Sequence, residues 1–274
     1  MISVFGASGF IGKNYCNVFS KKTLIIPREE RKPRSNEILY FISTVDNYNI
    51  FNDITLDVEV NLKILCEVLD HCKNTDITFN FISSWFVYGE TSLPAKETDF
   101  CNPKGFYSIT KRAAEQLLIS FCETYNVKYR ILRLCNVYGL GDKKISKKKN
   151  AIQYMINLLK NNEDVNLYDG GEPIRDLMYV TDVCDAIDLI LERGEYNQIY
   201  NIGSGIPTKI GDVVNTAKNI LQSKSKIKYI EAPDFHKIVQ SKNFWMNTSK
   251  LKSLGFDQKV SLQEGLKILC NMVE

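Results

Sequence analysis

The chain has 274 residues, of which 44% are hydrophobic and 24% charged, and its net charge is +3 at pH 7. This composition is ordinary for a globular protein, and so small a charge gives no reason to expect binding to nucleic acid or to a membrane surface. No apolar run approaches the roughly 18 residues of a membrane span, and the chain opens on a strand instead of a signal peptide, so we expect a cytoplasmic protein. The eight cysteines form no CxxC pair and there are two histidines, so we expect reduced thiols and no metal site.

The first dozen residues carry the most informative pattern. Residues 2–5 are a short apolar run that predicts a buried strand, and residues 10–20 are predicted to be a helix. Gly6, Gly9 and Gly12 have GxxGxxG spacing, which allows a sharp turn, a close approach to a pyrophosphate and tight packing of helix on strand. Glycines also cluster in ordinary turns, but this position favours a dinucleotide site at the helix N-terminus. The residues that we expect to contact the dinucleotide here are Gly6, Ser8, Gly9, Phe10, Ile11 and Gly12.

A second short strand is predicted over residues 23–26, and its tip bears on the choice of cofactor. An acidic residue at this tip suits the ribose of NAD, whereas a basic residue suits the 2′-phosphate of NADP. Arg28 lies there, so we favour NADP, with NAD as the alternative if Arg28 is only a solvated arginine. The next strand is predicted over residues 38–44, which brings Ser43 and Thr44 to the cofactor.

The rest of the chain alternates strands and helices. In residues 57–72 the apolar positions Val58, Leu62, Leu65 and Leu69 have helical spacing, which predicts an amphipathic helix. Further helices are predicted over residues 107–125, 151–160, 182–191, 210–221 and 262–272, and further strands over 77–83, 129–134, 177–180, 199–202 and 227–230. This alternation predicts a parallel sheet with helices on both faces. One loop is rich in lysine and is either solvated or a gate over an anionic substrate; it holds Lys143, Lys144, Lys147, Lys148 and Lys149.

Three polar residues are expected to meet at the carboxyl ends of the strands. Tyr107 and Lys111 are four residues apart, so they share one face of a helix. An ammonium group beside a phenol lowers the pKa of the phenol and makes it an acid or base for a sugar oxygen. Ser84 ends a neighbouring strand and can bind the same oxygen. A YxxxK pair alone is common on helix surfaces, but with the glycine motif it favours a catalytic site.

Six stretches of the chain, taken together, resemble extended short-chain dehydrogenases/reductases, specifically the NAD(P)-dependent nucleotide-sugar epimerase/dehydratase family. They are GASGFIG (6–12), SSWFVYG (83–89), residues 103–111, RLCNVYG (133–139), RDLMYV (175–180) and YNIGSG (200–205). The resemblance implies an α/β fold with a Rossmann-type doubly wound parallel sheet and a smaller C-terminal α/β substrate domain. The nucleotide-binding domain would comprise residues 1–140 and 177–205, and the substrate domain residues 141–176 and 206–274.

The resemblance also implies roles for particular residues. Tyr107 would be the acid/base, Lys111 would hold the nicotinamide ribose and tune the tyrosine, and Ser84 would orient the substrate oxygen. Asn136 would lie near the sugar or its diphosphate. Arg175 resembles the arginine that contacts the diphosphate, and its alternative is an ion pair with a neighbouring acid such as Asp176.

The sequence departs from the family pattern in two places, one in the sheet and one beside the predicted catalytic serine. The segment between Arg28 and residue 38 is too short for another strand, so the sheet is expected to be shortened between strands 2 and 4. Sugar 4,6-dehydratases carry Asp-Glu after the catalytic hydroxyl residue, where this chain has Trp85 and Phe86, which argues against a dehydratase. Phe86 also replaces the cysteine of synthases that epimerise C3 and C5.

These departures favour a 4-keto reductase that uses NADPH on a nucleotide-diphosphate sugar. Trp85 and Phe86 would form an apolar wall for a 6-deoxy methyl group. The first alternative is a 4-epimerase that retains NAD, because the same residues serve both reactions, and the second is a non-catalytic protein that senses NAD(P). Family members dimerise through a four-helix bundle, so a homodimer would use helices 57–72 and 107–125.

Overall fold

A computed structural model describes residues 1–142 and 151–271 of the chain; the lysine loop predicted above lies outside these residues. The strands are β1 (Ile2–Phe5), β2 (Thr23–Ile25), β3 (Glu37–Tyr40), β4 (Thr78–Ser84), β5 (Lys128–Leu134), β6 (Asn136–Tyr138), β7 (Val165–Tyr168), β8 (Ile174–Arg175), β9 (Leu177–Tyr179), β10 (Gln198–Ile202), β11 (Thr208–Lys209) and β12 (Ile227–Ile230).

The α-helices are α1 (Phe10–Val18), α2 (Leu56–Val58), α3 (Ile64–Asp70), α4 (Phe106–Tyr125), α5 (Ala151–Lys160), α6 (Val180–Arg193), α7 (Ile210–Leu221), α8 (Asp234–Val239), α9 (Ser249–Ser253) and α10 (Leu262–Asn271). A π turn, Glu59–Lys63, joins α2 to α3, and 3-10 turns lie at Ser20–Lys22, Asn47–Phe51, Trp85–Val87 and Asp169–Gly171. Among the described residues, no helix combines the length and apolarity that crossing a membrane requires.

The central sheet has six strands, all parallel, in the order β10-β5-β4-β3-β1-β2. Both of its faces are covered. One core cluster includes Tyr15 of α1 and Ile187 of α6, and the other includes Leu65 of α3 and Leu118 of α4. The prediction of a parallel sheet between two helix layers is therefore confirmed.

Strand β2 lies at the edge of this sheet. In the full doubly wound order, one more strand pairs with the outer side of the second strand. In the described part of the chain, β2 pairs only with β1, and the chain returns through a loop of residues 26–36 directly to β3 on the other side of β1. The sheet is thus shortened where the sequence indicated.

The predicted elements after β2 need two corrections. The strand predicted over residues 38–44 ends at Tyr40, because the backbone of Thr44 and the hydroxyl of Ser43 bind the Asn61 side chain instead of a neighbouring strand. The helix predicted over residues 57–72 contains the π turn, and its buried positions include Asp57 and Asn61. Val58, predicted to be buried, is 44% exposed.

The C-terminal part adds three small sheets. Strand β6 pairs in parallel with β9, β7 in parallel with β12, and β8 antiparallel with β11. Helix α7 packs against both α5 and α10. The other predicted helices and strands are present within two residues of their predicted bounds. Strands β6, β7, β8 and β11 were not predicted because two to four residues are too short for a periodic pattern. The division into two domains stays a prediction.

Candidate active site

The glycine-rich turn between β1 and α1 has the geometry of a phosphate site. Gly6 has φ +79°, where a side chain would be strained, and its carbonyl accepts a 3.1 Å hydrogen bond from the Gly9 N–H. A Cβ on Gly12 would lie 2.6 Å from the Gly6 carbonyl oxygen. No side chain caps the N-terminus of α1, so its backbone N–H groups point at the site where an anion binds. This turn fits the pyrophosphate of a dinucleotide.

The loop after β2 distinguishes Arg28 from its neighbours. Arg31 forms an ion pair with Glu67 at 2.7 Å, and Arg34 pairs with Glu30 at 2.6 Å. The side chain of Arg28 is exposed and forms no ion pair with any residue that the structure describes. Arg28 is therefore available to a ligand phosphate, whereas the charges of Arg31 and Arg34 are already matched.

Ser84 and Tyr107 are brought together by β4 and α4. Ser84 ends β4, and its hydroxyl lowers the pKa of the Tyr107 phenol. Helix α4 begins after Gly105, which has φ +86°, and Asn47 fixes this start through hydrogen bonds with the backbone and hydroxyl of Ser108. Lys111 lies one turn beyond Tyr107 on the same buried face of α4. Ser84 and Tyr107 are thus brought together, and the meeting of Lys111 with them stays a prediction.

The electrostatics of Tyr107 and Lys111 differ from the expectation. Burial raises the pKa of Tyr107 to about 12 and outweighs the opposing effect of the Ser84 hydroxyl. Burial also lowers the pKa of Lys111 to about 7, against the charge of Glu115. The ammonium group of Lys111 lies 4.3 Å from the centre of the Phe81 ring. Desolvation, and not the neighbouring lysine, therefore dominates the pKa of Tyr107, so its phenol carries a proton.

A buried ion pair supports the helix that carries these residues. Arg133 on β5 donates to both carboxylate oxygens of Glu115, at 3.0 and 2.8 Å, and Arg112 donates a third hydrogen bond at 2.7 Å. Glu115 is 0% and Arg133 1% exposed. The sequence analysis missed Glu115, although its spacing from Lys111 places it on the same buried helix face.

A polar network lies beside the ends of β3 and β4. Asn61 accepts from Ser43 and Thr44 and donates to Thr44 and Thr110, each at 2.8–3.0 Å. The side chains of Ser43 and Thr44 thus hold the π turn, and their contact with a cofactor stays a prediction. The sequence analysis did not single out Asp57 and Asn61. Two polar residues four positions apart in an otherwise apolar helix stripe would have indicated a buried polar contact.

Aromatic rings form the other wall of the site. Phe86 contacts Tyr107 edge-on, with ring centres 5.7 Å apart, and stacks on Trp85 at 4.1 Å. Trp85 is 3% exposed and packs in turn on Phe244 at 4.7 Å. Trp85 and Phe86 line a surface groove together with Ile238, Val239, Gln240 and Ser241, among others. Glu90 and Lys104 also line this groove, whereas Trp85 and Phe86 themselves hold no group that can transfer a proton.

Arg175 borders the same aromatic stack. Its guanidinium lies 5.4 Å from the Trp85 ring and donates 2.8 Å hydrogen bonds to the carbonyls of Ile174 and Lys242. Burial lowers its pKa to about 10, so it remains positively charged. The alternative of an ion pair with Asp176 is wrong, because the Asp176 carboxylate accepts from the backbone of residues 204, 205 and 246. No described carboxylate neutralises Arg175.

Asn136 begins β6 and is half-buried. Its backbone and side-chain nitrogens both donate to the carbonyl of Asp176, at 3.1 and 3.4 Å. This places Asn136 beside the strand segment that carries Arg175. A role in substrate binding stays a prediction.

A glycine turn between the first strand and the first helix of a parallel sheet is typical of dinucleotide-binding proteins of the Rossmann class. The family model described as "NAD dependent epimerase/dehydratase family" matches residues 32–203. The chain therefore belongs to this family, which confirms the resemblance that the sequence motifs indicated.

One relative found by sequence and two solved structures illustrate the similarity. A trifunctional enzyme of Arabidopsis thaliana, named as UDP-glucose 4,6-dehydratase, UDP-4-keto-6-deoxy-D-glucose 3,5-epimerase and UDP-4-keto-L-rhamnose reductase, is 29% identical over 238 residues, which are 84% of this chain and 35% of that protein. The chain thus spans about a third of that relative's length.

Two solved structures share the fold. UDP-glucose 4-epimerase from Thermotoga maritima, solved with UDP-glucose, has a TM-score of 0.88 and 22% identity, with 98% of this chain and 97% of that chain covered. RMD from Pseudomonas aeruginosa, complexed with NADPH, has a TM-score of 0.84 and 21% identity at the same coverage. The Rossmann-type fold is therefore confirmed.

Proposed function

We propose that the chain is an NAD(P)-dependent oxidoreductase that acts at C4 of a nucleotide-diphosphate sugar, and that it reduces a 4-keto-6-deoxy sugar with NADPH. The observation that carries this proposal is a buried, protonated Tyr107, whose ring contacts Phe86 and whose pKa the Ser84 hydroxyl lowers against the effect of burial. A reductase needs one proton donor at the sugar oxygen, and Tyr107 is suited to that role.

Each group of the site has a part in this reaction. The nicotinamide, when bound, supplies the hydride that reduces the C4 carbonyl carbon. Tyr107 gives its phenolic proton to the C4 oxygen, so its O–H bond breaks as the alcohol O–H bond forms. Ser84 holds that oxygen, and Lys111 would bind the nicotinamide ribose. The turn containing Gly6, Gly9 and Gly12 would hold the pyrophosphate.

The substrate side favours an anionic sugar nucleotide with an apolar C6. Arg175 has a half-buried charge without a described carboxylate partner and a planar fork suited to phosphate oxygens. Trp85 and Phe86 offer apolar surface to a methyl group. Their rings cannot deliver the second proton that a dehydratase or a C3/C5 epimerase needs, which supports reduction over those reactions.

A 4-epimerase that retains NAD is the second candidate. It would oxidise C4, let the keto sugar turn over within the site, and return the hydride from the retained dinucleotide to the other face of C4, while the same tyrosine would return the proton to the C4 oxygen. The full-length structural likeness to a UDP-glucose 4-epimerase supports this candidate. The two candidates differ in whether the dinucleotide stays bound between turnovers, which is directly measurable.

The first test is the cofactor that the purified protein carries. Denaturation followed by mass spectrometry identifies any bound dinucleotide, and titration of the empty protein compares NADPH with NADH. We expect an empty site that prefers NADPH, followed by oxidation of NADPH when 4-keto-6-deoxy nucleotide sugars are added. Near-stoichiometric NAD in the purified protein would favour the epimerase, and binding of neither dinucleotide would refute both.

Arg28 gives a sharper test of cofactor choice. We expect Arg28→Ala to abolish the preference for NADPH over NADH, because the 2′-phosphate loses its cation. Lys32→Ala is the matched control, since Lys32 is an exposed cation in the same loop. If the wild type and Arg28→Ala have the same preference for NADPH over NADH, Arg28 is only a solvated side chain and gives no argument for NADP.

We also propose that the chain forms a homodimer through the helices over residues 57–72 and 107–125, and that it acts in the cytoplasm. The helices expose apolar side chains: Val58 is 44%, Ile109 49% and Leu117 42% exposed. Leu117→Glu should convert a dimer into a monomer in analytical ultracentrifugation. Ile206→Glu, at a 59% exposed position outside these helices, should not. A monomeric wild type would contradict the proposal.

A further inference from the structure

The loop of residues 26–36 is fastened to β1 at both of its ends. At its start, the Ile26 N–H donates to the Val4 carbonyl at 3.0 Å. Near its end, the Arg34 N–H donates to the Ser3 hydroxyl at 2.9 Å. The segment between these two anchors contains no strand or helix, so side chains must fix its shape.

A tight turn in this segment presents Arg28. The Glu30 N–H donates to the Pro27 carbonyl at 3.0 Å, which makes Arg28 and Glu29 the central residues of a β-turn. The backbone of this turn sets the point from which the Arg28 side chain extends. A rotation of the turn would therefore move the Arg28 guanidinium away from a phosphate bound beside it.

The side chain of Arg31 holds this turn in place. Its Nη1 atom donates to the Arg28 carbonyl at 2.7 Å, and its Nε atom donates to the Glu67 carboxylate of α3 at 2.7 Å. The Arg31 side chain is 23% exposed, so solvent competes only in part with these contacts. One guanidinium thus bridges the centre of the turn to a helix that covers the sheet.

The other paired cation of this loop forms no such bridge. Arg34 pairs with Glu30 at 2.6 Å, and both residues belong to the loop itself. Among the described residues, Arg31 is the only cation of the loop whose ion pair reaches outside it. The orientation of the turn relative to the sheet therefore depends on Arg31 and Glu67.

We propose that Arg31 is a positioning residue that, together with Glu67, directs Arg28 at the 2′-phosphate of NADPH and so sets the preference for NADPH over NADH. This inference rests on the proposed function, in which Arg28 binds that phosphate. Arg31 acts through the backbone of Arg28 and not on the phosphate, because the Glu67 carboxylate already matches its charge.

The test is calorimetric titration of the purified protein with NADPH, NADH and 2′,5′-ADP. We expect Arg31→Ala and Glu67→Gln each to lower the ratio of NADPH affinity to NADH affinity about fivefold, the size of one lost hydrogen bond. Binding of 2′,5′-ADP should weaken by the same factor, whereas NADH should bind as it does to the wild type. Variants that keep the full preference for NADPH would overturn the inference.

Glu67→Gln also distinguishes positioning from direct contact. If Arg31 bound the phosphate itself, removal of the Glu67 charge would release the guanidinium and strengthen NADPH binding. Tighter binding of NADPH by Glu67→Gln would therefore overturn the inference.

Two variants control for the change in net charge. Lys32→Ala removes an exposed cation from the same loop, and Glu59→Gln removes an exposed carboxylate from the turn before α3. Neither residue belongs to the bridge, so both variants should keep the wild-type ratio of affinities. A fall in Lys32→Ala equal to that in Arg31→Ala would assign the effect to net charge and overturn the role of Arg31.

The two proposals fail in different ways in this experiment. A wild type that binds NADPH and NADH equally contradicts the assignment of Arg28 to the phosphate, and the inference falls with it. A wild type that prefers NADPH, with variants that keep this preference, contradicts the role of Arg31 alone. Equal weakening of NADPH and NADH in Arg31→Ala would also overturn the inference, because the bridge would then support the whole site and not the phosphate contact.

Discussion

The ion pair between Glu115 and Arg133 makes a quantitative prediction about stability. Glu115→Gln keeps the size of the side chain but removes its charge, while Arg133 remains 1% exposed and fully charged. Removing one partner of a buried pair costs about 3–5 kcal/mol, because the remaining charge is left without compensation. For a chain of this size, each kcal/mol lowers the melting temperature by about 2–4 °C, so we expect a drop of roughly 6–20 °C.

The assay is thermal unfolding followed by circular dichroism, with Glu59→Gln as the control. Glu59 forms a 2.9 Å pair with Lys63, but their side chains are 53% and 61% exposed, so solvent already screens the interaction. We expect Glu59→Gln to melt within about 1 °C of the wild type. A Glu115→Gln variant that melts within about 2 °C of the wild type would refute the argument that this buried pair stabilises the site.

The same pair also predicts how stability depends on pH. Burial alone would raise the pKa of Glu115, but the hydrogen bonds and charge of Arg133 outweigh it and hold that pKa below its ordinary value. Such a carboxyl stabilises the fold above its unfolded-state pKa and loses this contribution as the pH falls through its folded-state pKa. We therefore expect the stability gap between wild type and Glu115→Gln to narrow below about pH 4.

Two further predictions concern ligands. Gly12→Ala should weaken NADPH binding roughly tenfold in a fluorescence titration, because the new Cβ would lie 2.6 Å from the Gly6 carbonyl oxygen; unchanged binding would contradict the site. Arg175→Lys should raise the KM for the sugar nucleotide about tenfold and leave kcat nearly unchanged, since an ammonium group cannot reproduce the guanidinium fork. A fall in kcat at constant KM would instead place Arg175 in the chemical step.

The sequence allowed the strand-turn-helix at residues 2–18 to be predicted closely, because its apolar run and glycine spacing are local properties. The convergence of Ser84 with Tyr107 was also predictable, since the carboxyl ends of parallel strands share one edge of a sheet. The strand after residue 37 was predicted too long, because β-propensity does not reveal that the Asn61 side chain captures Ser43 and Thr44.

The electrostatics of the site were less predictable. The pKa of Tyr107 depends on how much water the fold excludes and on Asp57, a residue 50 positions away, and neither is visible in a YxxxK spacing. The Glu115–Arg133 pair likewise joins α4 to β5. Local patterns thus indicated which groups are candidates for the chemistry, whereas long-range packing decides the charge that each group carries.

The edge position of β2 has a consequence for how long a dinucleotide stays bound. Because β2 pairs only with β1 in the described chain, we expect the protein to make fewer contacts with the adenine half of a bound dinucleotide. Fewer contacts shorten the residence time of the dinucleotide more than they slow its binding, since differences in affinity arise mainly in the dissociation rate. A reductase oxidises one dinucleotide in each turnover and needs rapid exchange of that dinucleotide. An epimerase returns the hydride to the same sugar and needs to retain its dinucleotide between turnovers. The shortened sheet therefore suits an enzyme that binds and releases its dinucleotide in every turnover.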